Sequence, residues 1–141
     1  MFPGTRVGQA ASVASVFDSA KSPGSIAVGV AEGNYTPEGK ATSLYSGHTD
    51  PGNHVTNRGF CSWNRAANLS LAEADQRCLA SLQKHSQKIA QQLEKRGLKP
   101  DEHLHALVNG TDVWNQSNSA GPEFVTQYQE ALNLGLQGKA A

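Results

Sequence analysis

The chain has 141 residues, with 12 basic and 12 acidic side chains and a formal net charge of +0. This length suits one domain with its own hydrophobic core, predicted to span residues 1–141. Because the charges balance, the composition predicts no basic surface for nucleic acid or for an anionic membrane. No run approaches the roughly 18 apolar residues of a membrane-spanning helix, and the N-terminus lacks the apolar segment of a signal peptide. We therefore expect no nucleic-acid partner and no membrane insertion.

The predicted elements are mostly helices. In chain order, a short helix is predicted over residues 9–20, and a second begins at Ser22-Pro23 and carries Ile26 to Val30. The periodicity of Ile26 to Val30 also fits a strand, but the small residues between them favour a closely packed helix. A long helix starts with the capping box Ser70–Glu73 and stops at Gly97, another is opened by Pro100, and the last is opened by Gly121-Pro122. Residues 1–8 and 136–141 are predicted to fray.

The stretch from Gly33 to Gly59 has a different composition, because Gly, Pro, Asn, Thr and Ser dominate it. Turn signals occur at Pro37-Glu38-Gly39 and at Asp50–Asn53. This pattern predicts a small β-hairpin with loops, and such polar stretches often carry binding residues. The predicted fold class is therefore mainly α (α+β), a helical domain with one β-hairpin inserted after the first buried helix.

Two cysteines, Cys61 and Cys78, are too few for a fold built on several disulfides. Their spacing in the sequence does not determine their distance in space, so it does not decide whether they form one disulfide bridge. Cys78 lies on the apolar stripe of the long predicted helix, which favours free and buried thiols.

Glu32 is the residue that points most directly to chemistry, since it ends the apolar run Ile26–Ala31. A carboxyl group at such a place is expected to be partly desolvated, which raises its pKa. A carboxylic acid with a raised pKa can protonate a leaving oxygen near neutral pH. The alternative is an ordinary surface glutamate at a helix end.

The order of elements around Glu32 resembles the lysozyme-like superfamily of phage lysozymes, goose-type lysozymes and lytic transglycosylases. The resemblance rests on Glu32-Gly33, on the polar hairpin that closes with Gly47-His48-Thr49, and on a later Asn- and Asp-containing stretch, Leu107–Ser117. It covers roughly residues 23–132. It implies a peptidoglycan-degrading muramidase or lytic transglycosylase that cleaves the MurNAc–GlcNAc β-1,4 bond at the bacterial cell wall, in the periplasm or outside the cell. Glu32 would be the general acid, and no cofactor is implied.

The second carboxylate of the phage pattern is missing, because Ala41 stands nine positions after Glu32. Asp50 is the next aspartate along the chain, and it is either a base that activates water or the first residue of a turn. Without Asp50, Glu32 would act alone, as in lytic transglycosylases. Thr49 and Thr42 are candidates to position a water or to bond the Glu32 carboxyl.

The same resemblance implies a set of side chains for sugar binding. Aromatic rings would stack on sugar faces and amides would bond N-acetyl groups, although aromatic residues such as Trp114 are also typical of the core. The candidates are Tyr35, Thr42, Tyr45, Trp63, His48, Asn53, Asn115 and Gln116.

Two rival functions follow from other features. His48, Asp50 and His54 have a spacing that could hold Zn²⁺, with His103 or His105 as a further ligand, which would make the protein a cell-wall amidase or peptidase. The HExxH and CxxC patterns are absent from the sequence. The other rival is a module that binds glycan or a partner protein without catalysis.

Overall fold

Helices make up most of the chain in the computed structural model, which describes residues 12–49, 56–63 and 69–135. The helices of these residues are α1 (Pro23–Ala31), α2 (Leu71–Lys95), α3 (Leu104–Gln116) and α4 (Phe124–Asn133). Single 3₁₀ turns, Pro100–Glu102 and Gly121–Glu123, precede α3 and α4. The predicted mainly helical fold is confirmed. The segments predicted to fray, 1–8 and 136–141, lie outside the described residues.

The small sheet is an antiparallel pair of two-residue strands, β1 (His48–Thr49) and β2 (Thr56–Asn57). Nearer to α1, an isolated bridge joins Tyr35 to Ala41 across the turn at Pro37–Gly39. Both features confirm the predicted hairpin region and its first turn. The second predicted turn, over residues 50–53, lies outside the described residues.

The longest helix, α2, begins with the predicted capping box. The Ser70 hydroxyl accepts from the backbone N–H of Glu73 at 3.1 Å, and the Glu73 carboxylate accepts in return from the backbone N–H of Ser70. Gly97, in the left-handed region at φ 74°, follows its end, as predicted. The apolar face of α2 packs against α3, and together they bury Ala74, Cys78, Leu82, Ile89, Leu93, Ala106, Leu107 and Val108. None of the helices in the described ranges is long and apolar enough to cross a membrane.

The helix predicted over residues 9–20 is wrong in the part that the structure describes, where residues 13–21 form successive turns. Serine side chains compete here for the backbone groups that a helix would use. The Ser15 and Ser22 hydroxyls accept from the backbone N–H of Ser12 and Ser19, at 3.1 and 2.7 Å. Val16 and Phe17 are nevertheless buried.

A disulfide joins Cys61 to Cys78, so the preference for free thiols is wrong. Their Cα atoms are 6.5 Å apart, within the range that a bridge needs. The turn that carries Cys61 is brought onto α2 by Asp75, whose carboxylate accepts from the backbone N–H of Phe60 at 2.8 Å. The burial of Cys78 was predicted correctly, since it is 1% exposed.

Candidate active site

Glu32 stands where α1 ends, and the backbone there explains why a glycine follows it. The N–H groups of Gly33 and Asn34 bond back to the carbonyls of Val30 and Gly29, at 3.0 and 2.8 Å. This double closure is the Schellman motif, and it places Gly33 in the left-handed region at φ 80°. The Glu-Gly pair therefore ends the helix and turns the chain into the hairpin region, with the half-buried Glu32 at the junction.

The carboxylate of Glu32 meets the last turn of α3. The side-chain amide nitrogen of Gln116 donates to Glu32 Oε1 at 2.9 Å and to Asp112 Oδ1 at 3.1 Å. Asp112 and Gln116 are four positions apart on α3, so they lie on the same face of that helix. Both protons of the Gln116 amide are thus used to bridge two carboxylates.

These surroundings raise the pKa of Glu32. Burial is the largest cause, and the negative charge of Asp112 acts in the same direction. The Ser62 side chain, His48 and the hydrogen bond from the Gln116 amide oppose them without cancelling them. Burial also raises the pKa of Asp112, against the Gln116 hydrogen bond. The site therefore holds two carboxyl groups that keep their protons to higher pH than exposed carboxyl groups do.

Ser62 reaches this site from the turn that follows β2. Its backbone is left-handed, at φ 53°. The fully buried Asn34 donates from its amide nitrogen to the Ser62 hydroxyl at 2.8 Å and to the Phe60 carbonyl at 2.9 Å. The buried Asn34 thus holds the turn at Ser62, whose side chain lies close enough to Glu32 to affect its pKa.

Three of the residues predicted to contact substrate are engaged in the fold instead. Thr42 donates its hydroxyl proton to the Gly33 carbonyl at 2.6 Å, so the predicted bond from Thr42 to the Glu32 carboxyl is not formed. Tyr35 is 3% exposed and stacks against Tyr45 at 5.8 Å between ring centroids, which leaves no ring face for a sugar. Its predicted stacking role is wrong.

Tyr45 is half-buried and its hydroxyl donates to the carboxylate of Asp75. Burial, followed by the charge of Asp75, raises the pKa of Tyr35 to about 12, and the pKa of Tyr45 is raised as well, by burial and then by its bond to Asp75. Both phenols therefore stay protonated at physiological pH and act as structural donors. For Tyr35 the acceptor is the Ala20 carbonyl, at 3.1 Å.

The other predicted residues are divided between the site and its surroundings. His48, on β1, lies close enough to Glu32 to affect its pKa, while Thr49 is exposed on the same strand. Asn115 accepts from the Ser81 hydroxyl at 2.6 Å and so ties α3 to α2. Trp63 is partly buried against the core, and Trp114 is a core residue, as predicted.

The remaining predicted residues, Asp50, Asn53 and His54, lie outside the described part of the chain. Of the additional zinc candidates, His103 shares a hydrogen bond of 2.6 Å with the Tyr128 hydroxyl. Within residues 12–49, 56–63 and 69–135, no group of three or more His, Cys, Asp or Glu side chains is arranged to hold a metal ion.

Two residues of the site were missed from the sequence, Asp112 and Ser62. Asp112 offered a weak signal, because it precedes Gln116 by one helical turn in the stretch similar to a cleft-flanking helix. Ser62 offered none, since it comes near Glu32 only through a turn that Asn34 holds in the folded chain. Comparisons of the chain with protein families, with curated proteins and with solved structures found no match.

Proposed function

We propose that the protein cleaves the MurNAc–GlcNAc β-1,4 bond of peptidoglycan, with Glu32 as the general acid. The observation that carries the proposal is a half-buried carboxyl group at the end of α1 whose pKa is raised by burial and by Asp112. Such a group keeps its proton to higher pH than an exposed glutamate does, and it can give that proton to a leaving oxygen.

The surroundings of Glu32 support a carbohydrate as the substrate. His48 of the two-stranded sheet acts on the pKa of Glu32, as do Asp112 and Gln116 of α3. The lysozyme-like resemblance places the sugar cleft between a hairpin and a helical lobe, and this arrangement agrees with it. A neutral net charge is compatible with a ligand that is bound mainly through hydroxyl and amide groups.

The reaction begins when Glu32 donates its proton to the glycosidic oxygen while the bond from that oxygen to the anomeric carbon breaks. The departing sugar keeps the proton as a hydroxyl, and positive charge develops on the anomeric carbon. The carboxylate then takes a proton from the attacking nucleophile, which restores the acid. A water molecule as nucleophile produces a reducing sugar, whereas a hydroxyl of the same sugar produces an anhydro-sugar.

The test is digestion of purified peptidoglycan followed by mass spectrometry of the released muropeptides. We expect wild-type protein to release disaccharide fragments, with Glu32→Gln reduced by about 10²–10⁴-fold, the usual contribution of a general acid. Glu38→Gln is the matched control, because Glu38 is an exposed glutamate in the neighbouring turn. Reducing or anhydro ends identify a hydrolase or a transglycosylase.

Three results would contradict the proposal. Fragments cut at amide bonds and suppressed by EDTA would indicate the zinc amidase or peptidase. Binding to peptidoglycan without turnover would indicate a glycan-binding module. Equal activity of Glu32→Gln and wild type would remove Glu32 from the chemistry, provided that circular dichroism shows the same fold for both.

A further inference from the structure

One side chain of α3 contacts the proposed acid and holds a second carboxyl group at the same time. The amide nitrogen of Gln116 lies 2.9 Å from Glu32 Oε1 and 3.1 Å from Asp112 Oδ1. We propose that Gln116 is a positioning residue, which engages Oε1 of Glu32 so that Oε2 carries the catalytic proton. The catalytic meaning of this inference rests on the proposed function, whereas the two hydrogen bonds do not.

The two neighbours of the Gln116 amide fix which of its ends faces them. An amide nitrogen has two protons to donate, whereas an amide oxygen only accepts. An oxygen in this place would face an ionised carboxylate with no proton between them, and the two electron-rich atoms would repel each other. Whenever Glu32 or Asp112 is ionised, the nitrogen therefore occupies this place and gives one proton to each carboxyl group.

The bond to Oε1 determines where the proton of Glu32 lies. A neutral carboxyl group has one carbonyl oxygen, which accepts, and one hydroxyl oxygen, which donates. Because Gln116 donates to Oε1, that oxygen is the carbonyl and Oε2 is the hydroxyl. A general acid needs its proton within hydrogen-bond reach of the atom that it protonates. A proton on Oε2 can be directed to the glycosidic oxygen, whereas a proton on Oε1 would lie against the Gln116 amide.

The last turn of α3 holds Gln116 in this position. Asp112 and Gln116 are one helical turn apart, so a single amide reaches the carboxyl group of its own helix and that of Glu32. The neighbouring Asn115 accepts from the Ser81 hydroxyl at 2.6 Å, which ties this turn to α2. Gln116 itself is exposed, and an exposed glutamine samples many rotamers unless its bonds select one. The hydrogen bonds to the two carboxyl groups make that selection.

The same bond acts on the charge that proton transfer creates. When Oε2 gives its proton to the glycosidic oxygen, Glu32 becomes a carboxylate, and a hydrogen bond to an ionised acceptor is about twice as strong as one to a neutral acceptor. Gln116 therefore stabilises Glu32 more after the transfer than before it, which favours the chemical step. Ser62 of the turn after β2 and His48 of β1 also favour the ionised form of Glu32, and Asp112 disfavours it.

The experiment compares Gln116→Met, Gln91→Met and wild type. Methionine is an unbranched side chain that donates no hydrogen bond. Gln116 and Gln91 are both exposed glutamines on helices, so Gln91→Met is the matched control. Carboxyl ¹³C NMR follows the titrations of Glu32 and Asp112 without substrate, and kcat and KM on soluble peptidoglycan fragments are measured against pH.

We expect Gln116→Met to shift the titrations of Glu32 and Asp112 to higher pH, because the lost bond favours the ionised form of each. The alkaline limb of kcat should move with the Glu32 titration. We expect kcat to fall about ten- to a hundredfold, the effect of losing a hydrogen bond to a charged group, with KM unchanged. Gln91→Met should change none of these quantities.

Two results would overturn the inference. Titrations of Glu32 and Asp112 in Gln116→Met that match those of wild type would show that the amide does not bridge the two carboxyl groups. A raised KM with an unchanged kcat would show that Gln116 bonds the substrate, the role that the lysozyme-like resemblance implies. Because the titrations need no turnover, an inactive wild-type protein would refute the proposed function, while the titrations still decide whether Gln116 holds the two carboxyl groups.

Discussion

The carboxylates of Glu32 and Asp112 lie on either side of one amide nitrogen, which belongs to Gln116 and donates to them at 2.9 and 3.1 Å. Two like charges this close disfavour the state in which both groups are ionised. Whether one of these carboxyl groups is protonated therefore depends on the charge of the other. Because of this coupling, a substitution at Asp112 changes the pKa of Glu32 while Glu32 itself is kept.

Asp112→Asn is expected to lower the pKa of Glu32, because it removes the charge that raises it and keeps an oxygen for the Gln116 amide. The alkaline limb of kcat should then move to lower pH. Activity profiles of Asp112→Asn and wild type over pH 4–9 measure this. A limb that stays in place or moves to higher pH would contradict the electrostatic account.

The pH dependence of stability has a sign that follows from the same two groups. The pKa values of Glu32 and Asp112 in the folded protein exceed their ordinary values of 4.5 and 3.8. Between the ordinary and the raised pKa the folded state binds more protons than the unfolded state, so stability falls as pH rises through this window. Glu32→Gln removes one of these groups.

We therefore expect Glu32→Gln to unfold at a higher temperature than wild type at pH 7, with no such gain at pH 3, where the wild-type carboxyl is protonated. Thermal unfolding by circular dichroism at both pH values measures the difference. Glu38→Gln serves as the control for loss of a carboxylate at an exposed position. An advantage for Glu32→Gln at pH 3 but not at pH 7 would refute the assignment of a raised pKa.

Loss of the disulfide is expected to lower the free energy of unfolding by about 3 kcal/mol, as the loop model gives for a bridge of this size. The bridge spans a sequence separation of 17. Urea unfolding of wild type with and without reductant measures the change, and the double variant Cys61→Ala/Cys78→Ala should not respond to reductant. Equal urea midpoints for reduced and oxidised wild type would contradict this role.

Tyr45→Phe tests the structural role of the Tyr45 hydroxyl by itself, because phenylalanine keeps the aromatic ring and loses only the hydroxyl. That hydroxyl donates to Asp75, which also accepts from the backbone of Phe60. We expect stability to fall by about 1.5–3 kcal/mol, since the lost bond is made to a charged group, and KM to stay unchanged. A raised KM at unchanged stability would instead place the Tyr45 hydroxyl in contact with substrate.

The features that the sequence determines by itself are local ones. The capping box at Ser70 and Glu73, the turn at Pro37–Gly39 and the helix end at Glu32-Gly33 each depend on side chains and backbone groups within a few positions. Their hydrogen bonds form whatever lies elsewhere, so residue types and spacing were enough to predict them. The burial of the α2 stripe followed from its helical periodicity in the same way.

Only the tertiary structure decided which groups surround Glu32. Gln116 is 84 positions from Glu32 in the sequence, and Ser62 reaches the site through a turn anchored by Asn34 and by a disulfide that the sequence did not predict. No local pattern encodes such contacts, because they arise where separate helices and turns pack together. The sequence alone identified Glu32 as a candidate acid; the packing of α1 against α3 and the turn at Ser62 determined which groups tune its acidity.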